Sequence, residues 1–164
     1  MSAMSTLVVR PALPQDEIFL YDLYSAILGP QFALAVNINA TQREHLIRLQ
    51  FRGQMYTYTQ LYPNSCYHIV LLDSKPVGRL WVAPGDREFR LVDIAMHPGV
   101  QSKGLGTAVI QRLQQEATNA RLPIRSTVSK FNPGALRFHK RVSFHIVRED
   151  EMNYFMEWTP IPIV

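Results

Sequence analysis

Residues 91–116 read LVDIAMHPGVQSKGLGTAVIQRLQQE, and their order sets how the rest of the chain is read. An apolar run over 91–96 ends at His97-Pro98. A short loop follows with Gln101, Lys103, Gly104 and Gly106. Leu105, Val109, Ile110, Leu113 and Ala117 then recur at the spacing of one helix face. The expected order is strand, glycine-bearing turn, helix. Unpaired N–H groups at a helix start point outward, and the helix dipole adds partial positive charge. Glycine lets a bulky anion approach the backbone closely, so the turn suits a phosphate or pyrophosphate.

Two common phosphate loops do not fit. In a G-x-x-x-x-G-K-[ST] reading, Gly99 and Gly104 are followed by Leu105 and Gly106 rather than Lys and Ser or Thr. In a G-x-G-x-x-G reading, Gly104 and Gly106 are followed by Val109 where the third glycine belongs. The run Gln101, Ser102, Lys103, Gly104, Leu105, Gly106 resembles the [RQ]-x-x-G-x-[GA] motif of the GNAT acetyltransferase superfamily, and Asp93 to Pro98 resembles its strand-to-proline lead-in. The resemblance implies that residues 101–107, Thr107 included, grip the pyrophosphate of acetyl-coenzyme A, the co-substrate. A second stretch, NPGALRFHKRVSF over 132–144, resembles the family's N-x-x-A-x-x-[FL]-Y-x-x-x-G-F. It departs twice, with His139 for the usual Tyr and Ser143 for the usual Gly.

Composition is consistent with that class. The chain has 164 residues, enough for one domain over 1–164, with 47% hydrophobic and 18% charged residues. No apolar run approaches the roughly 20 residues of a membrane span. The N-terminus lacks a basic start followed by an apolar core, and the lone Cys66 permits no internal disulfide, so the cytoplasm is the expected compartment. No Cys/His cluster has metal-site spacing. Net charge is +4, which favours anionic partners. The basic residues are scattered rather than striped, which argues against a nucleic-acid binder. Cys66 reads as a buried small hydrophobe.

Taken in order, the chain predicts a strand over 7–10 and a helix opened at Pro14 and stopped by Gly29-Pro30. Thr41-Gln-Arg-Glu44 reads as a capping box opening a helix through Leu46, Leu49, Gly53 and Tyr56. Strands are expected over 67–72, 77–83 and 88–96, then the central helix, a strand over 124–128, a helix from Asn132-Pro133, and strands over 144–147 and 153–158. The order β-α-α-β-β-β-α-β-α-β-β gives an α/β (α+β) fold. It is a mixed, mostly antiparallel sheet of six to seven strands, with one parallel crossover and about four flanking helices. The resemblance implies the same order.

The chemistry implied is acetyl transfer to a primary amine of a small molecule or protein. In family members the main chain of the central strand, here Ile94, Ala95 and Met96, pairs with the pantetheine arm and supplies an N–H to the oxyanion. Asn132 contacts the arm, and Phe138 belongs with the cofactor-binding set. His139, with an ordinary pKa of about 6.5, is the candidate acid for the departing thiolate. The other reading makes it a surface histidine on a basic helix. Asp93 is the candidate base, with Glu88 behind it. The other reading has Asp93 facing away and satisfying backbone N–H groups. The alternative function is a non-catalytic acyl-coenzyme A sensor. Many relatives pair through the late strands, so a homodimer is one assembly the resemblance allows.

Overall fold

In the computed structural model, which describes residues 5–35 and 37–161, seven strands form one sheet. In chain order they are β1 (Leu7–Pro11), β2 (Cys66–Leu72), β3 (Lys75–Pro84), β4 (Phe89–Met96), β5 (Ile124–Ser129), β6 (His145–Glu149) and β7 (Asn153–Trp158). The helices are α1 (Glu17–Ala35), α2 (Ala40–Leu61), α3 (Leu105–Ala120) and α4 (Pro133–Arg141). The sheet order is β1-β2-β3-β4-β5-β7-β6. Only β4 and β5 run parallel, and α3 makes the long return that a parallel neighbour requires. Element order and the single parallel crossover are as the sequence implies.

Alternation along the strands sorts the side chains onto two faces. Val70, Leu80, Val82, Leu91, Ile124 and Met156 pack under α3, which contributes Val109, Ile110, Leu113 and Ala117. Complete burial of a side chain such as Ile110 is worth about 1.5–3 kcal/mol. On the opposite face Ile69 packs against Leu20 of α1 and Phe51 of α2.

Several local expectations shift. Helix α1 continues through Gly29 and Pro30 to Ala35. Proline removes one helical hydrogen bond at a cost of about 3 kcal/mol, and burial of Leu20 and Leu23 along the helix offsets it. Val36, between the two expected helices, lies outside the described residues. The cap of α2 is Asn39, not Thr41. Asn39 Oδ1 accepts from Gln42 N (2.9 Å), and Gln42 Oε1 accepts from Asn39 N (3.0 Å). Its buried side carries Ile47 and Phe51, while Leu46, Leu49 and Tyr56 are exposed. Cys66 opens β2 and is exposed rather than buried. Phe144 precedes β6 instead of starting it, and its ring is buried.

Candidate active site

Strands β4 and β5 pair only where Phe89, Arg90 and Leu91 face Ile124, Arg125 and Ser126. Beyond that rung they diverge, and a bulge explains why. Trp81 pairs with Asp93 and Val82 with Leu91, so Val92 is an extra residue in β4. A bulge bends its strand and increases the twist. The result is a V-shaped gap with unpaired peptide groups along the β4 side.

Alternation identifies those groups. His97 N–H donates to Val77 O (2.8 Å), so the peptide groups of Ala95 point to β3 and those of Ile94 and Met96 point into the gap. Gln101 Nε2 occupies the Met96 carbonyl at 3.1 Å. The N–H groups of Ile94 and Met96 and the Ile94 carbonyl remain for an extended, amide-bearing arm to pair with as an added strand. Of the three strand residues singled out in the sequence, Ala95 therefore has its main chain turned away.

The gap opens toward the loop before α3. His97 Nδ1 accepts from Gly99 N (3.1 Å) and fixes the turn at Pro98–Val100. Ser102 (φ 64°) and Gly104 (φ 75°) are both left-handed, and exposed Lys103 lies between them. Gly104 caps α3 without a side chain, and the first helical bond runs from Ala108 N to Gly104 O. The N–H groups of Leu105, Gly106 and Thr107 therefore have no acceptor within the helix. A Cβ on Gly104 would meet nothing within 4 Å, so the space before these donors is open. A Cβ on Gly106 would come 3.3 Å from the Phe138 ring. That contact seats α4 against the start of α3. Gln101 acts by folding its side chain back onto β4, holding the loop in place.

Asn132 caps α4, its Oδ1 accepting from Ala135 N at 3.0 Å. The helix ends in a Schellman turn. Phe144 N donates to His139 O and Ser143 N to Lys140 O, with Ser143 at φ 70°. This is the position at which the family motif carries glycine. His139 is 6% exposed and is not a surface histidine. Its Nδ1 lies 2.8 Å from the Ala135 carbonyl, which needs a donor, and its Nε2 lies 3.1 Å from Ser126 Oγ. Ser126 forms the last rung before the strands part, so this pair sits at the apex of the gap. Burial lowers the His139 pKa, against a smaller raising effect of the Ala135 hydrogen bond. At neutral pH the ring is uncharged, with its proton on Nδ1.

Asp93 lies on the α1/α2 face. No backbone N–H among the described residues donates to it. Its Oδ2 is 2.6 Å from Arg79 Nε. Trp81 packs nearby, tilted against Tyr67 with ring centroids 4.5 Å apart and edge-to-face with Tyr58 at 5.2 Å. Burial raises the pKa of Tyr24, Tyr58 and Tyr67. Glu88 is committed to Arg90 and Arg125, at 2.7 Å each. Sequence reading missed Arg79 and Ser126, whose partners Asp93 and His139 come from a neighbouring strand and from α4.

A family model described as the acetyltransferase (GNAT) family matches residues 34–144. Solved structures share the fold. One is PaiA N-acetyltransferase from Thermoplasma acidophilum in complex with coenzyme A (TM-score 0.70, 14% identity, covering 94% of this chain and 99% of that one). Another is an acetyltransferase from Thermus thermophilus (TM-score 0.67, 20% identity, 94% and 97% covered). A third is a spermidine N-acetyltransferase SpeG chimera from Vibrio cholerae and hSSAT (TM-score 0.62, 17% identity, 93% and 95% covered). No curated protein matches the sequence.

Proposed function

Because the chain belongs to the acetyltransferase (GNAT) family, with acetyl-coenzyme A as its acyl donor, we propose that it transfers the acetyl group to a primary amine of a small molecule or protein. One observation carries this reading. The gap between β4 and β5 opens beside the uncapped, glycine-bearing start of α3. The pyrophosphate takes the N–H groups of residues 105–107, with help from the dipole of a sixteen-residue helix. The pantetheine arm pairs with Ile94 and Met96, beside the Asn132 amide nitrogen, which donates to no group among the described residues. The thioester then reaches the apex near Ser126, where an N–H of β4 stabilises the oxyanion.

Asp93 takes a proton from the acceptor ammonium. The freed nitrogen lone pair forms a C–N bond to the thioester carbonyl, and the tetrahedral intermediate collapses with cleavage of the C–S bond. The nitrogen still carries one proton more than the amide product, and releases it to water, from which the departing thiolate takes its own proton. His139 is uncharged at neutral pH and its N–H is spent on Ala135, so it serves by holding Ser126 and α4 at the apex.

The test is release of free thiol from acetyl-coenzyme A with a panel of monoamines, polyamines and lysine- or N-terminus-bearing peptides. The expected result is release that requires an amine and matches acetylated product one to one. Absence of amine-dependent release with any acceptor would overturn the reading.

A further inference from the structure

On the α1/α2 face a guanidinium sits almost out of reach of solvent. Arg79 of β3 is 4% exposed. Its Nε contacts Asp93 Oδ2 at 2.6 Å, Nη2 donates to Gln54 Oε1 at 3.3 Å, and Nη1 reaches the Tyr67 hydroxyl at 3.5 Å. The Tyr24 ring lies 5.7 Å from the guanidinium carbon. Burial alone pulls the Arg79 pKa down, but Asp93 and Tyr67 more than offset it and the net shift is upward. The Nε–Oδ2 contact is close yet off-line for an aligned hydrogen bond, so charge holds it.

The two carboxylate oxygens differ. Oδ2 is buried against Arg79. No hydrogen bond among the described residues uses Oδ1, and the Asp93 side chain keeps 23% of its surface exposed. The bulge at Val92 places this carboxylate on the rung beyond the apex. A buried arginine contributes little stability that apolar packing could not replace.

We propose that Arg79 is a positioning residue for acetyl transfer: by holding Oδ2 it orients Asp93 so that Oδ1 faces the incoming amine. The acceptor ammonium gives a proton to Oδ1, its lone pair attacks the thioester carbonyl, the C–S bond breaks to release thiolate, the nitrogen's remaining extra proton passes through water to the thiolate, and the carboxylic acid returns its own proton to solvent. This rests on the assignment of Asp93 as the base.

The experiment compares Arg79→Met, Arg79→Lys, Asp93→Asn and the Arg79→Met/Asp93→Asn pair. It measures kcat, KM for an amine the wild type acetylates, and coenzyme A Kd by calorimetry. Asp93→Asn lowers kcat by about 10²-fold or more. Arg79→Met lowers kcat at least about tenfold with coenzyme A Kd unchanged, and Arg79→Lys recovers most of that loss, as expected if a positioned cation matters. The double variant is no slower than Asp93→Asn alone, because the two act through one group. Normal kcat in Arg79→Met, no recovery in Arg79→Lys, or a double loss equal to the product of the single losses overturns the proposal. If Arg79→Met does not fold with Asp93 left unpaired, the comparison of the double variant with Asp93→Asn decides in its place. Normal kcat in Asp93→Asn removes the base and Arg79's role with it, while acetyl transfer itself stands. A wild type that acetylates no amine removes the functional reading as a whole.

Discussion

Gly104 and Ser143 show how far one residue's conformation can be read. Both sit at positive φ, 75° and 70°. Gly104 meets the demand without strain and leaves open the space before α3. Asparagine tolerates the left-handed region but fills that space. Gly104→Asn is therefore expected to fold normally and lose coenzyme A affinity at least about tenfold by calorimetry, and unchanged affinity would remove the anion site from this loop. Ser143 meets the same demand with a Cβ present, which is unfavourable by roughly 1–2 kcal/mol. Ser143→Gly should raise stability by about 0.5–1 kcal/mol in urea denaturation after the entropy of the unfolded chain is counted. The glycine loop was legible because its chemistry is local. The Arg79–Asp93 and His139–Ser126 pairs were not, because cross-strand register joins the first across 14 residues and the packing of α4 on β5 joins the second across 13.

Among the elements, the start of α4 was legible, and the end of α1 and the start of α2 were not. Asn132-Pro133 fixes the start of α4 by side-chain chemistry that any context permits. Asn132→Asp keeps an oxygen for Ala135 N but replaces the free amide donor. Melting temperature is expected to hold while coenzyme A affinity falls, and intact affinity would leave Asn132 as a cap alone. Gly29-Pro30 read as a stop because local rules count the lost hydrogen bond but not the burial of Leu23 along the same helix. In α2 the apolar residues are spread around the helix, so periodicity did not single out Ile47 and Phe51 as the buried pair. The fold class survived these errors because it depends on the order of elements rather than on their ends.

For the whole molecule, the shifted groups set acid sensitivity. Burial puts the folded pKa of His139 below its unfolded value near 6.5. The unfolded chain then binds the extra proton first, so this contribution to stability is complete above about pH 6.5 and declines as pH falls toward the folded value. Asp16, hydrogen-bonded to Arg10 and to Leu13 N–H, is lowered to about 2, so its contribution is complete above about pH 4 and fades on acidification toward pH 2. Urea midpoints measured from pH 8 to 3 should fall in two stages, and His139→Gln should abolish the upper one. An upper stage that persists in His139→Gln would assign it to another group.

The central claim is that the gap between β4 and β5, together with the start of α3, seats the acyl donor. Amide NMR during a coenzyme A titration tests it most directly. The largest shifts are expected at the N–H groups of Ile94, Met96, Leu105, Gly106 and Thr107, with β6 and the outer face of α2 unmoved. Saturable binding whose shifts spare those five amides and gather elsewhere on the molecule would contradict it.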